Sequence, residues 1–313
     1  MPAWLSVHVG YACRDSGICC TSGWPIPVER ECVPAIETAI AAEMIPLRVV
    51  PWLIPELEAP GEVAGTLTVM PNGHCVFFEA GRPRCAIHSV KPASCMHFPY
   101  ICLVDPRGVR VNLSHYCPTA ASMLFEHEGP IEVVEGPAPV PDGVAIEGLD
   151  ARESLPPTSP NPADQRLLSW EEFTAWEREA IARANVEVLQ PDDLRRFDHA
   201  RAAVPAPWTW PAAPPDFEAA WWSLVAPAWP RFDAALRRYA AAKTFASWAA
   251  YQGDGLDAVM RVADMASAVL RIESARQCLD VGQPLDRPLL EGAIRQSDLL
   301  LVHYADPERL AAA

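Results

Sequence analysis

Nine of the ten cysteines in this chain fall between Cys13 and Cys117, and only Cys278 lies beyond them. A chain built this way has a cysteine-rich front and a cysteine-poor back, and the compartment decides what the thiols are for. The start, Met1 to Gly10 (MPAWLSVHVG), has no basic region followed by an apolar stretch of signal-peptide length. Nor is there a run of about 18 uncharged apolar residues, the length that a membrane helix needs. The expected location is therefore the cytoplasm, with no membrane partner. There the thiol pool is kept reduced, so the cysteines read as ligands or catalysts rather than disulfides.

Charge narrows the partners. With 25 Lys and Arg against 40 Asp and Glu, the net charge is −15. A nucleic-acid backbone or an anionic lipid surface needs a basic face, so both are excluded as main partners. A basic protein or peptide remains as a candidate substrate or partner. Hydrophobic residues make up 50% of the 313 residues, enough for a core in one large domain or two ordinary ones.

The expected class is α+β: a small cysteine-rich metal-binding α+β module followed by an α-helical bundle. The front, residues 1–128, has one helix candidate over Pro27–Met44 and strand-like pieces at Leu67–Met70, Cys75–Phe78, Tyr100–Val104 and Val109–Leu113. The last two flank Asp105-Pro106-Arg107-Gly108, a hairpin turn signal. From 129 to 168 the chain is a Pro-rich connecting segment, with a short strand at Ile131–Val134. Helix resumes at Ser169, where Ser169-Trp170-Glu171-Glu172 fits a capping box, and runs to about Ala184. Four further helical patterns, Phe217–Val225, Pro230–Tyr251, Gly255–Cys278 and Arg287–His303, complete a domain over 169–313.

Thiolates suit zinc, copper(I) and iron–sulfur clusters. Structural zinc sites usually carry two close Cys-x2-4-Cys pairs, yet this sequence has no CxxC at all. Its cysteines run Cys13-x5-Cys19-Cys20, then Cys75-x9-Cys85-x9-Cys95, then Cys102 and Cys117. In extended backbone, neighbours such as Cys19 and Cys20 point to opposite faces and reach different metal atoms more easily than they chelate one. That favours a polynuclear cluster, or one ligand plus a supporting thiol. Cys32, Cys102 and Cys278 fit packing roles on helix or strand.

These blocks resemble a known family. Cys13…Cys19-Cys20, Cys75-Val-Phe-Phe, Cys85-Ala-Ile-His and Lys91-Pro92-x-x-Cys95-x-x-Phe98-Pro99 look like the YkgJ-type cysteine cluster proteins, described as zinc- or iron-chelating and related to the flagellin lysine N-methylases. The resemblance covers about residues 10–120, and Ser114-His115-Tyr116-Cys117-Pro118 is similar to the late Cys-Pro of longer members. Ser16 stands where the family has a further cysteine, and His88 where it often has tyrosine. Carried over position by position, the resemblance implies Cys13, Cys19, Cys20, Cys75, Cys85, Cys95 and Cys117 as metal ligands. It implies an iron–sulfur cluster, or alternatively zinc, and S-adenosylmethionine as a cofactor. Seven thiols exceed the four of a single [4Fe–4S] cluster. Either there are two metal sites, or some thiols support rather than ligate.

Other features bear on function less directly. His74, His88, His97 and His115 sit beside cysteines and are read mainly as hydrogen-bonding neighbours; His303 is read as structural. Trp208, Trp210, Trp221, Trp222 and Trp229 suit either a bundle core or a pocket wall. The radical-SAM spacing, a Rossmann loop, a Walker motif, HExxH and a serine nucleophile elbow are all absent. Two functions follow: an iron–sulfur enzyme of the protein-lysine methyltransferase kind, or a non-catalytic zinc- or iron-chelating protein.

Overall fold

The computed structural model describes residues 1–42, 51–55, 62–81, 84–161 and 165–312. The expected hairpin is its simplest element. Strands Tyr100–Asp105 and Gly108–Leu113 pair antiparallel with Asp105 opposite Gly108, leaving Pro106-Arg107 as the loop. Gly108 takes a left-handed φ of 107°, which glycine adopts without steric cost. Asp105 Oδ1 accepts the Arg107 backbone N–H at 2.8 Å, an Asx-type closure.

The hairpin forms the centre of a five-stranded sheet. Gly148–Asp150 runs parallel beside Tyr100–Asp105, Ala3–Leu5 runs parallel beside Gly108–Leu113, and Val133–Glu135 closes the far edge antiparallel to Ala3–Leu5. Leu5 and Leu103 of this sheet share one buried core with Trp221, Tyr239, Val269, Leu270 and Ile272 of the helices. The fold is α+β, as the sequence implies.

Contacts divide the chain into two units. The helical unit comprises residues 1–11, 99–138 and 147–313; the cysteine unit comprises 12–98 and 139–146. This differs from the sequence-based boundaries at 128 and 168. The physical reason is the shared core: Leu103, Ala121 and Leu124 pack with the bundle, so the hairpin and the helix Pro118–Glu126 belong to the helical unit.

Around the sheet stand the helices Trp170–Arg183, Asp193–Ala202, Asp233–Thr244, Leu256–Val281 and Arg287–Asp298. The capping box at Ser169 is formed: its hydroxyl accepts the Glu172 N–H at 3.1 Å, and Glu172 Oε2 accepts the Ser169 N–H at 2.7 Å. The predicted single helix over Pro230–Tyr251 is broken. It runs Asp233–Thr244 and resumes as Ala249–Gln252, because Phe245 is extended and Ala246 has a positive φ of 53°. The buried Asn112 amide holds that break by donating to the Ala242 and Phe245 carbonyls. Helix Asp193–Ala202 was not expected. Only Asp193, Phe197 and Ala200 are buried on it, and Asp193 accepts from Nε and Nη2 of a buried Arg271, whose Nη1 donates to the Glu187 carbonyl.

In the cysteine unit a three-stranded antiparallel sheet orders Pro27–Glu29, Val63–Leu67 and Leu53–Pro55. The helix expected over Pro27–Met44 starts later: Pro27–Glu29 is strand, helix spans Val33–Ala41 with Pro34 in its first turn, and Met44 lies outside the described residues. A two-stranded ladder pairs Phe78–Glu79 with Arg84–Cys85.

Buried charge ties the helical unit together around Asp298, which is fully buried. Its Oδ1 takes the Lys243 ammonium at 2.5 Å and the Tyr239 hydroxyl at 3.3 Å. Its Oδ2 takes the His115 backbone N–H at 2.7 Å and faces His115 Nδ1 at 3.0 Å. Burial alone would raise this carboxyl, but Lys243 and His115 outweigh it and hold the group well below the usual carboxylate range. With Nδ1 of His115 donating to Asp298, its Nε2 accepts the Nε2–H of His8 at 3.1 Å. His8 Nδ1 is then buried without a partner among the described residues.

Two predictions follow from these groups. Asp298→Asn strips the buried Lys243 of its counter-charge and should cost about 3–5 kcal/mol, read from denaturant unfolding. The exposed Arg237–Asp233 pair is the control, and Arg237→Ala should cost under about 1 kcal/mol. Burial also pushes the His303 imidazole down to about 4 and lowers His8. The unfolded chain takes up protons below about pH 6.5 while the folded chain does not. Stability should therefore fall as the pH drops from about 6.5 towards 4, by up to about 1.4 kcal/mol per pH unit per histidine. His303→Gln should flatten that slope in a pH series of unfolding curves.

Candidate metal centre

Local backbone geometry sets the first two thiols. Gly17, at a left-handed φ of 69°, starts a 3-10 turn over Ile18–Cys20 that is closed by Cys20 N–H to Gly17 O at 3.0 Å. A side chain at Gly17 would run into the Phe78 ring, so the position needs glycine on two counts. The turn corrects the extended geometry expected for Cys19-Cys20. Their side chains hydrogen-bond to each other instead of facing apart.

Main-chain bonds then gather the other cysteines. The Cys75 N–H donates to Cys20 O at 2.7 Å, and the Phe78 N–H donates to Cys75 O at 3.0 Å. Phe78 pairs with Cys85 in the small ladder, and the Ala86 N–H donates to Phe77 O at 2.9 Å. Cys95 sits on the short helix Ala93–His97. Phe77 and Ile87 are buried between these segments, with Cys75 and Cys85 packed against the same core.

The result is a group of five half-buried or buried thiols, Cys19, Cys20, Cys75, Cys85 and Cys95, that act on one another electrostatically. Hydrogen bonding from Cys20 lowers the Cys19 thiol to about 7 and lowers Cys85 as well. The same two bonds push Cys20 far up. Burial raises Cys75 to about 11, and burial with the neighbouring sulfurs raises Cys95. Lys91 lies close enough to favour the thiolate at Cys19, Cys85 and Cys95. Backbone N–H groups and the Lys91 ammonium favour the thiolate at Cys19 and Cys85, while burial keeps Cys75 and Cys95 protonated. A cation that displaced the protons would supply what the site lacks. A soft, all-sulfur donor set fits an iron–sulfur cluster or thiolate-bound zinc.

Two further expected ligands are Cys13 and Cys117. Cys13 is exposed, and its sulfur, one Asp15 oxygen and a His88 nitrogen lie within 4.8 Å of one another. Cys117 belongs to the helical unit, buried at the start of helix Pro118–Glu126, with the Tyr11 hydroxyl at 3.5 Å from its sulfur. Cys102 is buried mid-strand and Cys278 in the helical core, where burial raises both thiols. Cys32 donates to Glu29 at 3.4 Å. Of the four flanking histidines, His88 joins Cys13; His97 contacts the Ala93 and Ala145 carbonyls at 2.7 Å; His74 contacts Asn72; His115 joins Asp298. Sequence reasoning missed Asp15 and the electrostatic part of Lys91. The Lys91-Pro92-x-x-Cys95 block held the signal for the second.

Comparison with family models, with curated proteins and with solved structures finds no match to this chain.

Cys20→Ala and Gly17→Ala should each lower metal content measured by elemental analysis, the first by removing the thiol between Cys19 and Cys85 and the second by displacing the turn. Cys278→Ala should leave metal content unchanged.

Proposed function

We propose that this is a metal-binding protein whose cysteine unit holds an iron–sulfur cluster through ligands drawn from Cys19, Cys20, Cys75, Cys85 and Cys95. The observation that carries this reading is that five thiols from four separate points along the chain, Cys19-Cys20, Cys75, Cys85 and Cys95, act on one another electrostatically within one unit. Five donors exceed what mononuclear zinc takes and leave one thiol beyond the four of a cubane cluster. Such a cluster, when bound, supplies one-electron transfer. The chain's own part is to hold the sulfurs together, keep Lys91 beside them and pack Phe77 and Ile87 behind Cys75 and Cys85.

A zinc-chelating reading is supported by the hydrogen bond between the Cys19 and Cys20 thiols, which does not spread them towards different metal atoms. The enzymatic extension, S-adenosylmethionine-dependent N-methylation of a basic protein, rests on the family resemblance and the net charge of −15. Protein purified anaerobically should be brown, with a broad visible absorption that bleaches on reduction and near-stoichiometric iron and sulfide. Colourless protein with one zinc per chain would overturn the cluster and leave zinc chelation. Absence of any S-adenosylmethionine turnover by cluster-loaded protein, with and without reductant, would remove the methylase extension.

A further inference from the structure

A cavity of about 400 Å³ lies in the helical unit, apart from any cysteine ligand. Three aromatic rings line it in different planes. Trp208 stands 5.3 Å from Tyr304 at 72°, and Trp210 stands 5.9 Å from Tyr304 at 53°. The walls are fixed from behind. Trp210 Nε1 donates to Glu273 Oε1 at 3.2 Å, and Arg276 donates to Glu273 Oε2 at 3.0 Å. Glu273 is 1% exposed, whereas Trp208 is 48% exposed despite its large apolar surface. Asp280 also lines the cavity, is exposed, and makes no ion pair among the described residues. Burial raises Glu273, which Arg276 and Trp210 hold as a paired group, so the uncompensated charge of the lining is that of Asp280.

These features select a class of ligand. An anion is repelled by Asp280. Asp280 and the Gln277, Gln296 and Tyr304 oxygens in the lining can accept from a primary ammonium, so the acceptors select a cation and the aromatic rings weight the choice towards a methylated one. A methylated ammonium has few or no N–H groups to satisfy, and it gains from the negative faces of indole and phenol rings. We propose that Trp208, Trp210 and Tyr304, with Glu273 and Asp280, form a binding site for a quaternary ammonium group. This site stands on the helical unit alone. It does not depend on the metal reading, so either can fail without the other.

The test is calorimetric titration of the full-length protein with choline, with a peptide bearing Nε-trimethyllysine, and with 3,3-dimethylbutanol, the neutral isostere of choline. Saturable binding of a quaternary cation is expected, with the neutral isostere weaker by roughly tenfold or more. Trp208→Ala should weaken the cation roughly fivefold or more with unchanged circular dichroism. Trp222→Ala, an exposed tryptophan outside the cavity, should change nothing, and Asp280→Asn should weaken the cation without affecting the isostere. Tighter binding of the peptide would place the ammonium group on a protein, and tighter binding of choline on a small molecule; both outcomes uphold the site. Equal binding of cation and isostere, no saturable binding of any cation, or indifference to Trp208→Ala would overturn it.

Discussion

The cysteine unit depends on how its crowded sulfurs are neutralised. Among the described residues its buried apolar core is Val28, Ile36, Ala39, Leu67, Phe77 and Ile87, with Cys32, Cys75 and Cys85 packed against it. Val33, Ile40, Trp52, Leu53 and Val76 also pack against it, and small units are often stapled further by disulfides or a metal. Disulfides are not present, since all ten cysteines are free. The thiols therefore occupy space that apolar side chains would otherwise fill, and they repel one another as they ionise. Ligation would turn that liability into the main tie between the turn at Cys19-Cys20, the ladder at Cys85 and the helix at Cys95. Structure and proposed function thus rest on the same side chains in this unit.

The helical unit solves the same problem of buried charge with protein groups alone. Asp298 draws together the Asp233–Thr244 helix through Lys243 and Tyr239, and the end of the central hairpin through His115. A second cluster locks the other end of that hairpin: Asp105 and Glu177 share Arg107, Glu177 also takes Arg110, and Tyr251 donates to Asp105 at 2.9 Å. The chain has only two lysines, Lys91 and Lys243. One lies beside the thiols and the other on Asp298. A compact ammonium fits where charge must be concentrated at one point, whereas a planar guanidinium suits bidentate pairs such as Arg271–Asp193.

What the sequence revealed was mostly local. The Asp105–Gly108 turn, the Ser169 capping box and the long apolar stripe of Leu256–Val281 each carry their signal within a few residues, and each is present. Most of the helical patterns after Phe217 were legible for the same reason. The break at Phe245 was not, because the group that holds it, Asn112, lies 133 residues away. Helix Asp193–Ala202 was hidden by its polar surface. The unit boundary failed similarly: alternation marks Tyr100–Leu113 as strands, but nothing local says that Leu103 packs with Ile272 rather than with Phe77. At the site, cysteine type and spacing pointed to thiol chemistry. They could not separate the five gathered sulfurs from Cys13, which pairs with Asp15 and His88, or from Cys117, which the helical unit buries.

Connectivity raises a last question, whether the two units must fold together. Strand Ala3–Leu5 lies parallel to Gly108–Leu113, and parallel neighbours require a crossover connection. Most of the cysteine unit is spliced into that crossover, between residues 11 and 99. An unfolded crossover would tax the sheet through loop closure, but that cost rises only as the logarithm of length, about 0.6 kcal/mol per doubling. Over the whole crossover that sums to about 4 kcal/mol, comparable to the loss of the Asp298 cluster alone, about 3–5 kcal/mol by the figure for a broken buried pair, and the buried core shared by sheet and helices stands in addition. The helical unit therefore holds its own sheet whether or not the inserted unit is ordered. Loss of a metal would then loosen the cysteine unit while leaving the bundle and its aromatic cavity standing. If the cysteine unit holds a metal as proposed, a metal-dependent unit sits inside a metal-independent one, and calorimetry before and after chelation should resolve two transitions of which only one moves.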